Sequence, residues 1–254
     1  METKALQTII LVGTVLLVSG CAKQKKQEAP TFDELRTKAL AFVKQKKHDL
    51  AAEYLEKIIV QNPDRTDIAK YKLLLAEVYF KEGKYPSAYE LYDHYSSFYP
   101  SDKRAEYAKY QSILSKFYQT LRTDCDQTQT EETIKLCKEY LEYPSFNAYS
   151  NDVKDIHKTC ESKLIDKELY VFNFYLRKGE LDAAKKRLTH VKTMYLTSNP
   201  ALEARLLYLE SQLAQKQHNI ALVKENMNVL ATKFPQSQFT HMAQALLHKQ
   251  TFSF

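Results

Sequence analysis

The chain repeats itself, and the repeat limits what it can fold into. Phe42, Ala51 and Pro63 recur at the spacing of Tyr79, Ala88 and Pro100, nine residues and then twelve. Four residues after Tyr79 comes Gly83-Lys84-Tyr85-Pro86, and the first copy has Lys46-Lys47-His48 at that place. Apolar residues at helical spacing run up to Phe80, Gly83 stops that helix, and Pro86 suits the first turn of another, where its missing N–H costs nothing. Each copy therefore reads as a helical hairpin closed by a proline, with an alanine where its two helices approach. Such a hairpin cannot bury both of its faces alone, so the copies have to stack. Only four glycines and seven prolines in 254 residues leave helix open to nearly the whole chain.

The small, aromatic, small and proline positions resemble those of the tetratricopeptide repeat, a unit of about 34 residues. The first unit spans 32–65 and the second 66–100, with three extra residues between the two registers. A third unit, 102–144, is stretched. Its first helix is expected over 105–121, followed by a loop over 122–129 and by Thr130 as the N-cap of a helix running to Tyr143-Pro144. The fourth opens with a long helix over 150–178 ended by Gly179, and its partner over 181–196 is stopped by Asn199-Pro200. A fifth unit spans 201–235, and a last helix over 238–249 covers the open end of the stack. The expected fold is all-α: an α-solenoid of about five hairpins with a C-terminal capping helix. It divides into an N-terminal half at 32–144 and a C-terminal half at 145–254.

Ahead of the repeats, Lys4 precedes an apolar run over 9–18, and Ser19-Gly20-Cys21 follows it. The run is short of the roughly 20 residues a membrane span needs and has the proportions of a signal-peptide core. Its end resembles a bacterial lipobox. That resemblance implies a signal peptide over 1–20, cleavage before Cys21, a diacylglyceryl thioether on its sulfur and acylation of its new amine. Residues 21–31, polar and without periodicity, read as a lipidated flexible tether. Ala22 stands where an aspartate would imply retention at the inner membrane, so the resemblance implies the periplasmic face of a Gram-negative outer membrane. Apart from that lipid, no cofactor is expected.

In the stack, the first helix of each hairpin turns some residues into a groove. The register assigns Asp33, Arg36, Leu40, Val43 and Lys44 in the first unit, and Lys70, Leu73, Glu77, Phe80 and Lys81 in the second. This mixture of apolar and charged side chains suits an extended peptide, although any one of them also fits an ordinary solvated helix face. The net charge of +6 is spread along the chain without a run of five like charges, so nothing marks a nucleic-acid footprint. The tyrosines number eighteen, and most of them, Tyr79 and Tyr92 included, fall at positions that pack between helices.

The reactive residues form no constellation. Cys125, Cys137 and Cys160 permit one disulfide in an oxidising compartment, and Cys137 with Cys160 is the candidate pair, because their helices are neighbours in a stack. His48, His94, His157, His190, His218, His241 and His248 lack metal-ligand spacing, and Gly13, Gly20, Gly83 and Gly179 are too scattered for a phosphate cradle. Asp124 and Asp126 offer too few oxygens for a calcium loop. No metal site, catalytic residue or enzymatic activity is expected.

The order of parts resembles that of the BamD family, tetratricopeptide lipoproteins of the β-barrel assembly machinery. The resemblance covers nearly all of the mature chain. It rests on the lipobox and tether, on Tyr79-Phe80-Lys81-Glu82-Gly83 and Phe98-Tyr99-Pro100, and on the insert Asp124-Cys125-Asp126-Gln127-Thr128. It is strongest at Leu169-Tyr170-Val171-Phe172-Asn173-Phe174-Tyr175-Leu176-Arg177-Lys178-Gly179, followed by Ala183-Ala184 and Arg187. It implies a non-catalytic scaffold whose C-terminal repeats dock on a BamA-like barrel subunit, and whose N-terminal repeats receive unfolded outer-membrane proteins and contact other assembly lipoproteins. Arg187 matches a family arginine that meets an acidic group on the partner, with Lys186 beside it. The chain departs from the family pattern at Asn62-Pro63-Asp64-Arg65, which lacks an aromatic, at the end of the fourth unit, and in its three cysteines beyond Cys21. A pilotin-type lipoprotein for secretin assembly is the alternative, and a scaffold for a peptidoglycan-associated enzyme is a third.

Overall fold

Among the described residues each helix after the first packs on the one before it, so the chain advances as a series of hairpins. The computed structural model describes residues 29–251. The signal peptide, Cys21 and most of the tether lie outside the described residues, as does the side chain of His248. The elements are α1 (Phe32–Lys44), α2 (His48–Gln61), α3 (Ile68–Lys81), α4 (Tyr85–Phe98), α5 (Ala105–Phe117), α6 (Thr128–Glu142), α7 (Ser150–Lys178), α8 (Leu181–Tyr195), α9 (Glu203–Lys216), α10 (Ile220–Lys233) and α11 (Gln238–Thr251), with one 3-10 turn at Pro200–Leu202. They pair as five antiparallel hairpins, and α11 packs across both α9 and α10. Among the described residues no strand occurs and no helix is long and apolar enough to cross a membrane.

The core shows why the hairpins must stack. It is a succession of clusters, and each of the first three joins one hairpin to the first helix of the next. Leu35, Ala39, Ala51, Leu55 and Ile58 of the first hairpin bury with Tyr71, Leu75 and Val78 of α3. Ala76, Ala88, Tyr92 and Tyr95 of the second bury with Ala108 of α5. Ile113, Leu136, Cys137 and Tyr140 of the third bury with Val153, Ile156 and Cys160 of α7. The last cluster runs from α7 to α11. Each buried Leu, Phe or Val side chain contributes roughly 1.5–3 kcal/mol that a lone hairpin would forgo on its outer face. The repeated alanines, Ala51 and Ala88, are fully buried, as a close helix approach requires.

Four of the five hairpins turn in the same way. Lys46, Gly83, Gly179 and His218 hold positive φ of 56°, 76°, 79° and 59°. In each turn the following N–H reaches back five residues: Lys47 to the Phe42 carbonyl, Lys84 to Tyr79, Glu180 to Tyr175 and Asn219 to Ala214. These bonds satisfy carbonyls that the helix end would otherwise orphan.

The third hairpin departs from that pattern and from the sequence expectation. Helix α5 ends at Phe117, not at 121, because the N–H groups of Gln119 and Thr120 close onto the carbonyls of Lys116 and Phe117 and tighten the last turn. Thr130 does not cap α6. The helix already starts at Thr128, whose N–H donates to Asp126 Oδ1 at 3.0 Å, while Thr130 is buried and donates to Gln127 Oε1 at 2.9 Å.

Candidate functional site

The residues expected to face a groove differ in how far solvent reaches them. Arg36, Leu40, Lys44, Lys70 and Lys81 are exposed, and Glu77 and Phe80 are half-buried. Arg36 lies 3.3 Å from Asp33, one turn away. Leu40 is 45 % exposed and available for contact. Leu73 is a correction: at 3 % exposure it belongs to the core formed with Ala76, Ala88, Tyr92, Tyr95 and Ala108. That cluster draws mainly on α4, with Ala108 of α5, which a register drawn on one helix does not reveal.

What lies beside Phe80 is aromatic. Its ring meets Tyr85 edge-on at 5.4 Å and Tyr118 at 5.7 Å, and Tyr85 stacks on Tyr118 at 5.0 Å. Tyr118 is 52 % exposed. A second run of rings continues along α5, where Tyr107 approaches Tyr92 and Tyr149, and Tyr110 stacks on Tyr149 at 4.3 Å with an interplanar angle of 3°. In the sequence the α5 tyrosines fall on the helix expected over 105–121, outside the two units whose register assigns groove residues. The signal was there: the offset that takes Phe42 to Tyr79, applied once more, carries Lys70, Leu73 and Lys81 to Tyr107, Tyr110 and Tyr118.

Glu77 is the charged member of this surface. Burial holds its carboxyl above the ordinary value, and the positive charges of Lys81 and Arg104 pull it back. Burial pushes up the phenols of Tyr92 and Tyr107, and the Glu77 charge adds a smaller push in the same direction. The surface thus offers rings with a flat apolar face and polar rim, edged by Lys70, Lys81 and one half-buried carboxylate. That combination suits an extended segment with aromatic or aliphatic side chains.

The second region lies on the fourth hairpin. Arg187 on α8 donates to Glu168 Oε2 on α7 at 3.2 Å, while Lys186 is exposed. Tyr175, Ala183, Lys186, Arg187 and His190 line a shallow cleft. A neighbouring cleft shares His190 and brings the insert, Asp124 to Gln127, against Glu168 and Tyr195. Lys167 Nζ fastens the insert by donating to the Cys125 carbonyl at 3.1 Å. Arg187 is therefore already paired, and any further carboxylate has to share it with Glu168 or displace that residue. Tyr170, Phe174 and Met194 stand exposed on the same two helices.

Cys137 and Cys160 are brought into one cluster, as neighbouring helices implied, but as free thiols. Burial pushes Cys137 up to about 12 and Cys160 to about 11. Cys125, in the insert, is a free thiol at intermediate exposure. Among the described residues no group of three or more His, Cys, Asp or Glu side chains is placed to hold a metal ion.

The same arrangement of parts has known relatives. The family YfiO, described as outer membrane lipoprotein, matches residues 28–221. An outer membrane protein assembly factor BamD of Rickettsia prowazekii is 25 % identical over 248 residues, covering 96 % of this chain and 97 % of the relative. A protein of the same name from Caulobacter vibrioides is 25 % identical over 247 residues, covering 95 % of this chain and 80 % of the relative.

Proposed function

We propose, from the premise that this chain belongs to the YfiO outer membrane lipoprotein family, that it is a scaffold of the machinery inserting β-barrel proteins into the outer membrane. The observation that carries this reading is the similarity, along nearly its whole length, to two outer membrane protein assembly factors. The protein works by binding. The fourth hairpin, with Lys186 and Arg187, docks on a periplasmic domain of a BamA-like barrel subunit. The aromatic surface around Phe80 and Tyr118 receives segments of unfolded outer-membrane clients and lies within reach of other assembly lipoproteins. Cys21 carries the lipid that holds the chain at the membrane, and no other cofactor takes part.

The arrangement supports these roles physically. A guanidinium offers a planar, bidentate partner to a carboxylate, and that of Arg187 stays partly exposed while paired with Glu168 across α7 and α8. Stacked rings give large contact area at little conformational cost, which suits a surface that must accept many client sequences.

Depletion of the protein in its native cell tests the function. Folded outer-membrane barrels, recognised because they migrate anomalously until heated, are expected to fall while their unfolded forms accumulate. Normal barrel levels together with loss of a secretin ring would contradict the scaffold reading and favour a pilotin. Cys21→Ala is expected to move the chain from the membrane fraction to the soluble one.

A further inference from the structure

The first three hairpins have two edges. One carries the turns inside each hairpin. The other carries the links between hairpins, where α1 begins and where α2, α4 and α6 end. This linking edge is apolar at each of those ends. Val60, at the close of α2, is 78 % exposed, and Phe98, the last residue of α4, is 68 % exposed. Tyr99 caps α4 and Tyr143 caps α6, and both are exposed. Exposed prolines follow at Pro63, Pro100 and Pro144. Single apolar side chains scattered on a surface are ordinary, but here they recur at the same place in three consecutive hairpins.

The ends of α4 and α6 form one surface. Pro100 of the first, with Tyr143 and Phe146 of the second, lines a cleft of about 390 Å³. Phe98 lies flat on the His94 ring at 4.1 Å, and Tyr143 meets Phe146 at 4.2 Å. The arginines of the links are turned on their neighbours: Arg65 Nε donates to Asp67 Oδ1 at 2.9 Å, and Arg104 Nε to Asp102 Oδ1 at 3.2 Å. The edge therefore offers apolar area and tyrosine hydroxyls more than a charged field. That mixture suits the boundary between lipid headgroups and acyl chains, where a tyrosine keeps its ring in the apolar layer and its hydroxyl in water.

The route to Cys21 leaves from this same edge. Phe32, the first residue of α1, lies 3.6 Å from the Arg65 guanidinium and meets Tyr71 edge-on at 5.6 Å, so the start of α1 is fixed beside the link from α2 to α3. Eleven steps separate Cys21 from Phe32 (32 − 21) and span at most about 36–40 Å. Resting the turn edge on the bilayer would use about 20 Å of that span in passing back along the thirteen residues of α1.

We propose that the linking edge of the first three hairpins is a second membrane contact, with Val60, Phe98, Tyr99 and Tyr143 seated in the interface of the bilayer that holds Cys21. The proposal rests on the reading of Cys21 as lipidated. The acyl chains supply the attachment, and the edge sets the orientation. Phe80 and Tyr118 stand near the opposite ends of α3 and α5, so this orientation turns the aromatic surface away from the bilayer.

The chain contains no tryptophan, so one introduced residue reports alone. The full acylated chain carrying Phe98→Trp is reconstituted in phosphatidylcholine vesicles brominated high on the acyl chain, and flotation of the vesicles reports the anchor separately. Blue-shifted emission and quenching are expected for Phe98→Trp. Leu121→Trp, past the end of α5 on the turn edge at a site 51 % exposed, is expected to stay unquenched. Adding Val60→Asp and Tyr143→Asp, both at exposed sites, is expected to bring the Phe98→Trp quenching down to the Leu121→Trp level, while circular dichroism and flotation stay unchanged. The quenching is expected to persist at high salt, because the contact is apolar. A floating protein whose Phe98→Trp is not quenched would overturn the contact. Equal quenching of Phe98→Trp and Leu121→Trp would overturn the orientation, and quenching that survives the two aspartates would overturn the role of these side chains. Loss of quenching in salt would overturn the apolar basis. A protein that does not float would overturn the anchor on which the proposal stands.

Discussion

Lys46 and Gly83 occupy the same left-handed position in consecutive hairpins, at φ of 56° and 76°. One is a glycine, for which that conformation is ordinary, and the other a lysine, for which it is strained. The pair makes the repeat visible in the backbone and separates what the turn needs from what the side chain adds. Lys46→Gly and His218→Gly are each expected to stabilise the fold by about 1 kcal/mol, and Gly83→Ala to destabilise it by about the same amount. A Cβ at Gly83 meets Tyr85 only at 4.0 Å, so its cost is conformational and not steric. Urea midpoints of the variants check the signs.

Glu106 and Tyr140 join α5 to α6 through a 2.6 Å hydrogen bond, and the same Glu106 oxygen accepts the N–H of Ala148 at 2.6 Å. Tyr140 Oη in turn accepts the Tyr149 N–H at 2.9 Å, just ahead of α7. Two side chains thus hold the connection into the longest helix, and through Tyr149 the stacked ring of Tyr110. Tyr140→Phe is expected to cost about 0.5–1.5 kcal/mol, because it removes the hydroxyl's bonds to the half-buried Glu106 carboxylate and Tyr149 N–H. Hydrogen exchange of the amides at 147–149 is expected to quicken in that variant, while that of the fifth hairpin stays unchanged.

Glu77 and Leu73 separate binding from stability on one helix. The carboxyl of Glu77 is raised above its ordinary 4.5 in the folded chain. Its contribution to stability is therefore complete below the unfolded value and is lost as pH rises through the folded one. Glu77→Gln is expected to stabilise the protein at pH 7 and to make little difference at pH 4, read from denaturation midpoints. A gap independent of pH would contradict the burial argument. Leu73→Ala is expected to cost about 2–5 kcal/mol. Phe80→Ala and Tyr118→Ala are expected to weaken binding of a client peptide while changing stability less than Leu73→Ala does.

The thiols provide a chemical check. Cys137 and Cys160 are buried and their thiolates disfavoured, whereas Cys125 is partly exposed. With a thiol reagent, Cys125 is expected to react promptly and the other two only when the chain opens. If Cys137 and Cys160 stay unreactive in denaturant until a reductant is added, they form a disulfide and are not free thiols.

The repeats are legible in the sequence because their markers are local. An aromatic, an alanine and a proline at fixed spacing report helix ends and close approach, and that spacing alone aligns Lys46 with Gly83. The third hairpin is less legible, since its loop is held by bonds with no sequence pattern, such as Lys167 to the Cys125 carbonyl. The Glu106–Tyr140 bond spans 34 residues and leaves no trace in periodicity. Leu73 misleads for a related reason: one helix's register defines a face, and only the helices packed on it decide whether that face is covered. The α5 tyrosines escape a register that stops at the second repeat.

The central claim is that the fourth hairpin docks this chain on a barrel-forming subunit. A photo-activated crosslinking residue placed at exposed Lys186, in living cells, tests it most directly. The expected product joins this chain to one outer-membrane barrel protein with periplasmic domains, and Arg187→Glu is expected to diminish it. A product with a secretin, or an equally strong crosslink to the barrel subunit in the Arg187→Glu variant, would contradict the account.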